Sequence, residues 1–326
     1  MSLLKSVQTG RKLKPLAIML HAPHGIGKST FATEAPNPIY IGQEENDELD
    51  VARFPKVMHW SELIDQLTTL RDEKHDYKTV VIDTADGLEQ TAEKDILGLD
   101  INKGKTMATA YGGYGKAYEK MGNMFLKVRD EFLIPLRDEK GMNVVILCHS
   151  KKVKHEEPMT NTSYDHYETA LHKRTKAIFE DWVSAILFAN HALIKAEGDD
   201  GQTYTTSLDG ERLIFTQERP SHVAKNRFDM PYDIPFTKKG TWGVIRNLVL
   251  AHFKTVKKKT DDKKEVFNDE VSDLKKAIEE KLAKLPDDLR SHLEAKYKTL
   301  KTAGEAKKLL AKIEGALAWS HKEITK

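Results

Sequence analysis

Short apolar runs rich in β-branched residues recur along the first two-thirds of the chain, at 16–21, 38–42, 79–83, 143–148 and 183–189. Between them lie stretches such as 61–73 and 115–138 whose apolar positions fall at helical spacing. Alternation of this kind predicts an α/β fold, a mostly parallel sheet with crossover helices. Beyond residue 190 the pattern changes. Strand-like pieces at 192–197, 202–207 and 212–216 are separated by the turn signals "GDDG" and "LDG", which predict an antiparallel meander.

Near residue 250 the pattern shifts again, to a lysine-rich stretch at 251–264 and then a helical tail over 265–326. Val271, Leu274, Ile278, Leu282 and Leu285 stand three and four apart, one amphipathic stripe that Pro286 ends. Leu289, Leu293 and Leu300 predict a second helix. Thr302 to Glu305 has capping-box spacing ahead of a third, with Leu309, Leu310, Ile313 and Leu317. The expected organisation is a core at 1–250, a linker at 251–264 and a helical appendage packed on that core or on a neighbouring subunit.

Composition narrows the setting. With 39% hydrophobic and 31% charged residues the chain reads as globular, and no window approaches a membrane span. The first residues lack the apolar core of a signal peptide, and the single cysteine, Cys148, excludes internal disulfides and a cysteine-rich zinc site. A cytoplasmic protein is expected. The formal net charge of +2 creates no global attraction for a polyanion, so any nucleic-acid contact must come from local patches. Lys151, Lys152 and Lys154 form one such patch. Lys173, Arg174 and Lys176 form another, and the lysines of 254–264 a third.

The most specific chemistry lies at Ile18 to Ala32, "IMLHAPHGIGKSTFA". It matches the phosphate-binding P-loop G-x-x-x-x-G-K-[ST] except at the first position, where Ala22 replaces glycine. The loop comprises Pro23, His24, Gly25, Ile26, Gly27, Lys28, Ser29 and Thr30. Gly25 and Gly27 let backbone N–H groups converge on phosphate oxygens, Lys28 reaches the outer phosphates, and Ser29 is placed to ligate Mg²⁺. ATP and Mg²⁺ are the cofactors this implies.

Such a site needs a carboxylate beside the metal, and Asp83, ending the run Val80 to Ile82, is in place to supply it. A base that orients the attacking water is expected at the end of 38–42, close to where a strand beside the P-loop strand would deliver it. Glu44 is preferred there, with Glu45 as the alternative. His149, at the tip of 143–148, is placed to sense the γ-phosphate.

This order of parts, with "HVAKNRFDMP" following, resembles the RecA-like ATPase core over roughly residues 10–245. In particular it resembles the phage-encoded AAA-type ATP-binding proteins that include RecA-like single-strand annealing proteins. The resemblance implies that Lys225 and Arg227 reach a neighbouring subunit's nucleotide, in a ring or filament with nucleotide between subunits. It also implies that the regions after the strands of Asp83 and His149 hold single-stranded DNA. In the first region the residues concerned are Lys103, Lys105, Tyr111 and Tyr114. In the second they are Lys151, Lys152, Lys154, Lys173, Arg174 and Lys176. Cations for phosphates and rings for stacked bases suit that task. The implied function is ATP-dependent strand annealing or exchange in phage recombination, with a single-strand-binding protein as a further partner. A replicative helicase or loader motor on the same core is an alternative, and so is a nucleotide-dependent scaffold with little turnover. Two departures bear on the rate of hydrolysis. His149 stands where bacterial RecA carries an amide, and Gly42 and Gln43 stand where an acidic residue often precedes the catalytic glutamate.

Overall fold

The computed structural model describes residues 10–101, 103–157, 161–197, 203–283 and 307–314, with Val7, Arg290 and Tyr297; at 193–197, 203–209 and 255–273 it describes the backbone alone. Strand β1 (Ala17–Ala22) leads through a loop into α1 (Lys28–Thr33), followed by β2 (Pro38–Gly42), β3 (Ala52–Arg53), α2 (Trp60–Asp72), β4 (Thr79–Asp83) and α3 (Ala85–Gly98). Next come α4 (Lys116–Val128), a π-helical turn (Arg129–Leu133), α5 (Ile134–Asp138), β5 (Asn143–Glu157), β6 (Thr162–Thr169) and α6 (Lys173–Trp182). The order closes with β7 (Ala185–Glu197), β8 (Thr203–Phe215), β9 (Lys225–Asn226), β10 (Asp233–Pro235) and α7 (Thr241–Leu282).

Among the described residues the strands join in the order β10-β8-β7-β1-β5-β4-β2-β3, with β6 paired to β5 and β9 to β7. All pairings from β7 across to β3 are parallel; β6, β8, β9 and β10 pair antiparallel. Every residue of β1 and of β4 is buried, the signature of strands covered on both faces. Leu63, Leu67 and Leu70 turn one face of α2 inward, and Ala117, Met121, Phe125 and Val128 do the same for α4. Phe125 meets Trp60 edge-on at 4.9 Å and Phe179 at 5.7 Å, so one ring ties α2, α4 and α6 together. This is an α/β core, a mostly parallel sheet flanked by helices, as the hydrophobic pattern predicts.

Three expectations need correction. The strand expected at 143–148 does not end there: β5 continues to Glu157 and pairs with β6 in register from Ser150↔Thr169 to Glu157↔Thr162. Val153 is the one apolar residue between Ser150 and Glu157, so no apolar alternation marks this part of the strand in the sequence. The meander is not three short strands either. The "LDG" at 208–210 lies within β8, because the ladder with β7 absorbs it in an irregularity between His191 and Leu193. Finally, α7 runs as helix through the lysine-rich 251–264, where good helix formers follow one another with no Gly or Pro from Val244 to Ala283.

The chain divides into two compact units, 1–252 and 253–326. In the second, Ile278, Leu282, Leu309 and Ile313 form a small buried cluster, with Leu274, Tyr297 and Leu310 packed against it. The expectations for Leu285, Pro286, Leu289, Leu293, Leu300, Thr302 to Glu305 and Leu317 lie outside the described residues.

Candidate nucleotide site

The site lies at the C-terminal ends of the parallel strands, where open α/β sheets place their ligands. A cleft of about 360 Å³ is lined by His24, Gly25, Gly27, Lys28, Ser29, Thr30, Glu44, Asp83, Thr84 and His149. Six of the eight expected P-loop residues, both carboxylates and the strand-tip histidine thus converge, while Pro23 and Ile26 do not line the cleft.

Lys28 is 6% exposed. Its Nζ donates to Pro23 O at 3.2 Å and Ala22 O at 3.5 Å. Burial pulls its pKa below the ordinary lysine value, opposed by the negative charge of Asp86, Asp83 and Glu44 and by Cys148. Asp83 is 1% exposed, and burial pushes its carboxyl up, opposed by hydrogen bonds from Ser29 and Asn46. Asn46 Nδ2 donates to Asp83 Oδ2 at 3.0 Å, while Asp83 Oδ1 is buried without a hydrogen-bond partner. An unsatisfied carboxylate oxygen next to a P-loop serine fits a hard divalent cation. Ser29 and Asp83 would hold Mg²⁺, which when bound supplies charge neutralisation on phosphate oxygens.

The route by which Glu44 arrives differs from the expected one. Strand β2 is not beside β1; β5 and β4 lie between them. The tip of β2 instead folds over the end of β4, with Gln43 N and Glu44 N both donating to Asp83 O, at 3.1 and 3.2 Å. That approach demands glycine at 42, since a Cβ there would stand 1.9 Å from Asp83 O. Gly42 is therefore what puts Glu44 beside Asp83. Glu45 points elsewhere, pairing with Lys56 at 3.4 Å on the surface.

His149 is held by Asp86, in the first turn of α3. The Nδ1–H donates to Oδ2 at 2.8 Å, and the backbone N–H donates to Oδ1 at 2.9 Å. Burial would raise the Asp86 pKa, but these bonds hold it below the usual carboxylate value. The His149 ring stacks on His24 of the P-loop, 3.8 Å between centroids. Asp86 escaped the sequence reading, although an acidic residue three positions after Asp83, behind the helix cap Thr84, was a usable signal. Arg212 of β8 also escaped it, yet its Nη1 donates to Ile26 O at 2.6 Å. No local pattern marks that contact across 186 residues.

The remaining candidates lie outside the cleft. Lys225 pairs with Ile186 at the start of β7, the opposite end of the sheet from the P-loop, and its Nζ donates to Glu180 O and Asp181 O at 2.6 and 3.1 Å. Arg227 Nη2 donates to Asp181 O at 3.3 Å. Both cations sit on the C-terminal carbonyls of α6, a favourable place for positive charge and out of reach of their own chain's cleft.

Tyr114 is 99% exposed, and Lys103 and Lys105 are exposed nearby in sequence. Tyr111 is half-buried, its hydroxyl donating to Ile96 O at 3.0 Å and its ring packed against the core. On the β5–β6 hairpin, Lys151 pairs with Glu168 and Lys152 with Asp165, while Lys176 of α6 also pairs with Glu168. Lys154, Lys173 and Arg174 are exposed. Glu168 and Asp165 therefore pair three of the eight expected cations.

Fold, phosphate-binding loop and buried strand-end carboxylate together define a P-loop ATPase. The chain matches the AAA domain family over residues 14–228, and it belongs to that family. Among solved structures, a KaiC-like protein from the hyperthermophilic archaeon Pyrococcus horikoshii OT3 is similar, with a TM-score of 0.31 and 12% identity over 69% of this chain and 86% of that one. No curated protein matches the chain. Among the described residues no helix is long and apolar enough to cross a membrane.

Proposed function

We propose that this ATPase uses its Mg-ATP cycle to control binding of single-stranded DNA, in the service of strand annealing or exchange. The observation that carries the reading is the continuity of β5. His149 lines the cleft, and the same strand runs on without interruption into the β5–β6 hairpin that bears Lys154. A change at the cleft felt by His149 is thus one residue from the root of an arm, at Ser150. Exposed Tyr114, with Lys103 and Lys105, supports the same partner, offering a ring for stacking and cations for phosphates. In an assembly with nucleotide between subunits, Lys225 and Arg227 of one copy would exchange the α6 carbonyls for the γ-phosphate of the next. Within the cleft, Lys28 would bind the outer phosphates and Glu44 would orient the attacking water.

Fluorescence anisotropy of a labelled single-stranded oligonucleotide tests this, titrated in MgATP, in MgADP and without nucleotide, with Lys28→Ala as control. Tight, ATP-favoured, salt-sensitive binding is expected, and no binding in any state sinks the DNA reading. Glu44→Gln is expected to abolish turnover while retaining nucleotide, and Glu45→Gln to leave turnover intact. A second reading, a nucleotide-dependent scaffold acting on proteins, is favoured by the ion-paired Lys151, Lys152 and Lys176. Nucleotide binding without DNA binding would select it.

A further inference from the structure

The P-loop is braced by a residue outside its motif. Arg212 stands on β8 opposite His191, where the β7–β8 register breaks. Its guanidinium lies 4.9 Å from the Phe236 ring centroid while Nη1 donates to Ile26 O at 2.6 Å. The backbone closes the arrangement: Phe236 N donates to Arg212 O at 2.8 Å, and the Phe236 ring meets Phe31 of α1 edge-on at 6.1 Å. The cation is thus oriented by a ring that also touches the helix following the loop.

The consequence for the loop comes from peptide geometry. In a trans peptide the carbonyl and the following N–H point in opposite directions. Holding the Ile26 carbonyl toward β8 therefore turns the Gly27 N–H away from β8. Gly27 lines the cleft and has φ 105°, and a Cβ on it would stand 2.9 Å from Arg212 Nη1. Glycine at 27 thus makes room for the brace as well as for phosphate.

We propose that Arg212 is a positioning residue for nucleotide, locking the Ile26–Gly27 peptide in the orientation that presents the Gly27 N–H to the phosphates. The inference rests on the reading of this cleft as a nucleotide site. A peptide that flips freely would lose a donor to phosphate groups that ATP and ADP share, so both nucleotides should weaken together. The bond is charge-assisted and Arg offers a planar fork that Lys lacks, so Lys should replace it only in part.

The test is titration of fluorescent ATP and ADP analogues, with Mg²⁺, against the full chain as wild type, Lys28→Ala, Arg212→Lys and Arg212→Ala. Each titration is run well below that variant's melting midpoint by circular dichroism. Arg212→Ala is expected to weaken both nucleotides by about tenfold or more, with Arg212→Lys between it and wild type, and KM rising by a larger factor than kcat falls. Should Arg212→Ala fail to fold, Arg212→Lys keeps the alkyl stem and the charge and decides the matter: weakened binding of both nucleotides supports the brace, and wild-type affinity overturns it. Wild-type affinity in a folded Arg212→Ala, or loss confined to ATP, overturns it equally. If wild type itself binds no nucleotide, the reading of the cleft fails instead, a result distinct from either.

Discussion

Acidification is expected to weaken the strand that carries the P-loop, because that strand contains a fully buried histidine. His21, in β1, is 0% exposed. Its Nε2–H donates to the Val223 carbonyl at 2.8 Å, and Nδ1 is hydrogen-bonded to Ser150 Oγ at 2.9 Å. One neutral tautomer satisfies both partners, the serine hydroxyl donating to Nδ1. Burial lowers the pKa to about 4 from 6.5, opposed by the Val223 bond and aided by His222, Lys176 and His166. A folded-state pKa below the unfolded one means that the unfolded chain binds the proton first. The contribution of His21 to stability is therefore complete above pH 6.5 and is lost progressively as the pH falls toward 4. Linkage puts the loss at about 1 kcal/mol near pH 5.5 and about 3 kcal/mol near pH 4 and below. The assay is urea unfolding of wild type and His21→Leu across this range. The variant is destabilised at neutral pH, since Ser150 and Val223 lose their partner, at about 1–3 kcal/mol. The stability difference should shift by about 3 kcal/mol in the variant's favour as the pH falls to 4, closing the deficit or reversing it, and the difference cancels the carboxylates that titrate in both proteins. A deficit that stays constant from neutral pH to pH 4 would refute the argument.

Three further outcomes follow from particular contacts. Gly42→Ala drives a methyl to within 1.9 Å of Asp83 O; displacement of the β2 tip should cost more than about 2 kcal/mol in urea unfolding and take Glu44 away from the cleft, abolishing turnover. Glu34→Ala removes the carboxylate that accepts from Gly240 N at 2.6 Å and Trp242 N at 2.9 Å, at the start of α7. It should cost about 1–2 kcal/mol, with the unfolding followed by tryptophan fluorescence. Tyr114→Ala touches an almost fully exposed ring, so stability should change by less than about 0.5 kcal/mol, while single-strand affinity by anisotropy should fall by about 1–3 kcal/mol.

What the chain determines by itself is whatever depends on neighbours in sequence. Continuous burial makes β1 and β4 legible as apolar runs, and the P-loop is legible because its glycines, Lys28 and Ser29 act through one local turn. Asp83 was legible because strand ends and site coincide in this fold class. Tertiary structure alone decided the rest. It separated Glu44 from Glu45, since only the crossing of β2's tip over Asp83 O, which the missing side chain of Gly42 permits, sends one into the cleft and the other to Lys56. It made the basic region after His149 a ladder whose acidic residues face its lysines, because cross-strand register decides which charges meet. It placed Lys225 and Arg227 on the α6 carbonyls, and it brought Arg212 to Ile26. Side-chain period and turn chemistry act over a few residues, whereas these contacts close over tens to nearly two hundred, and only the packed sheet fixes which distant groups come within hydrogen-bond reach.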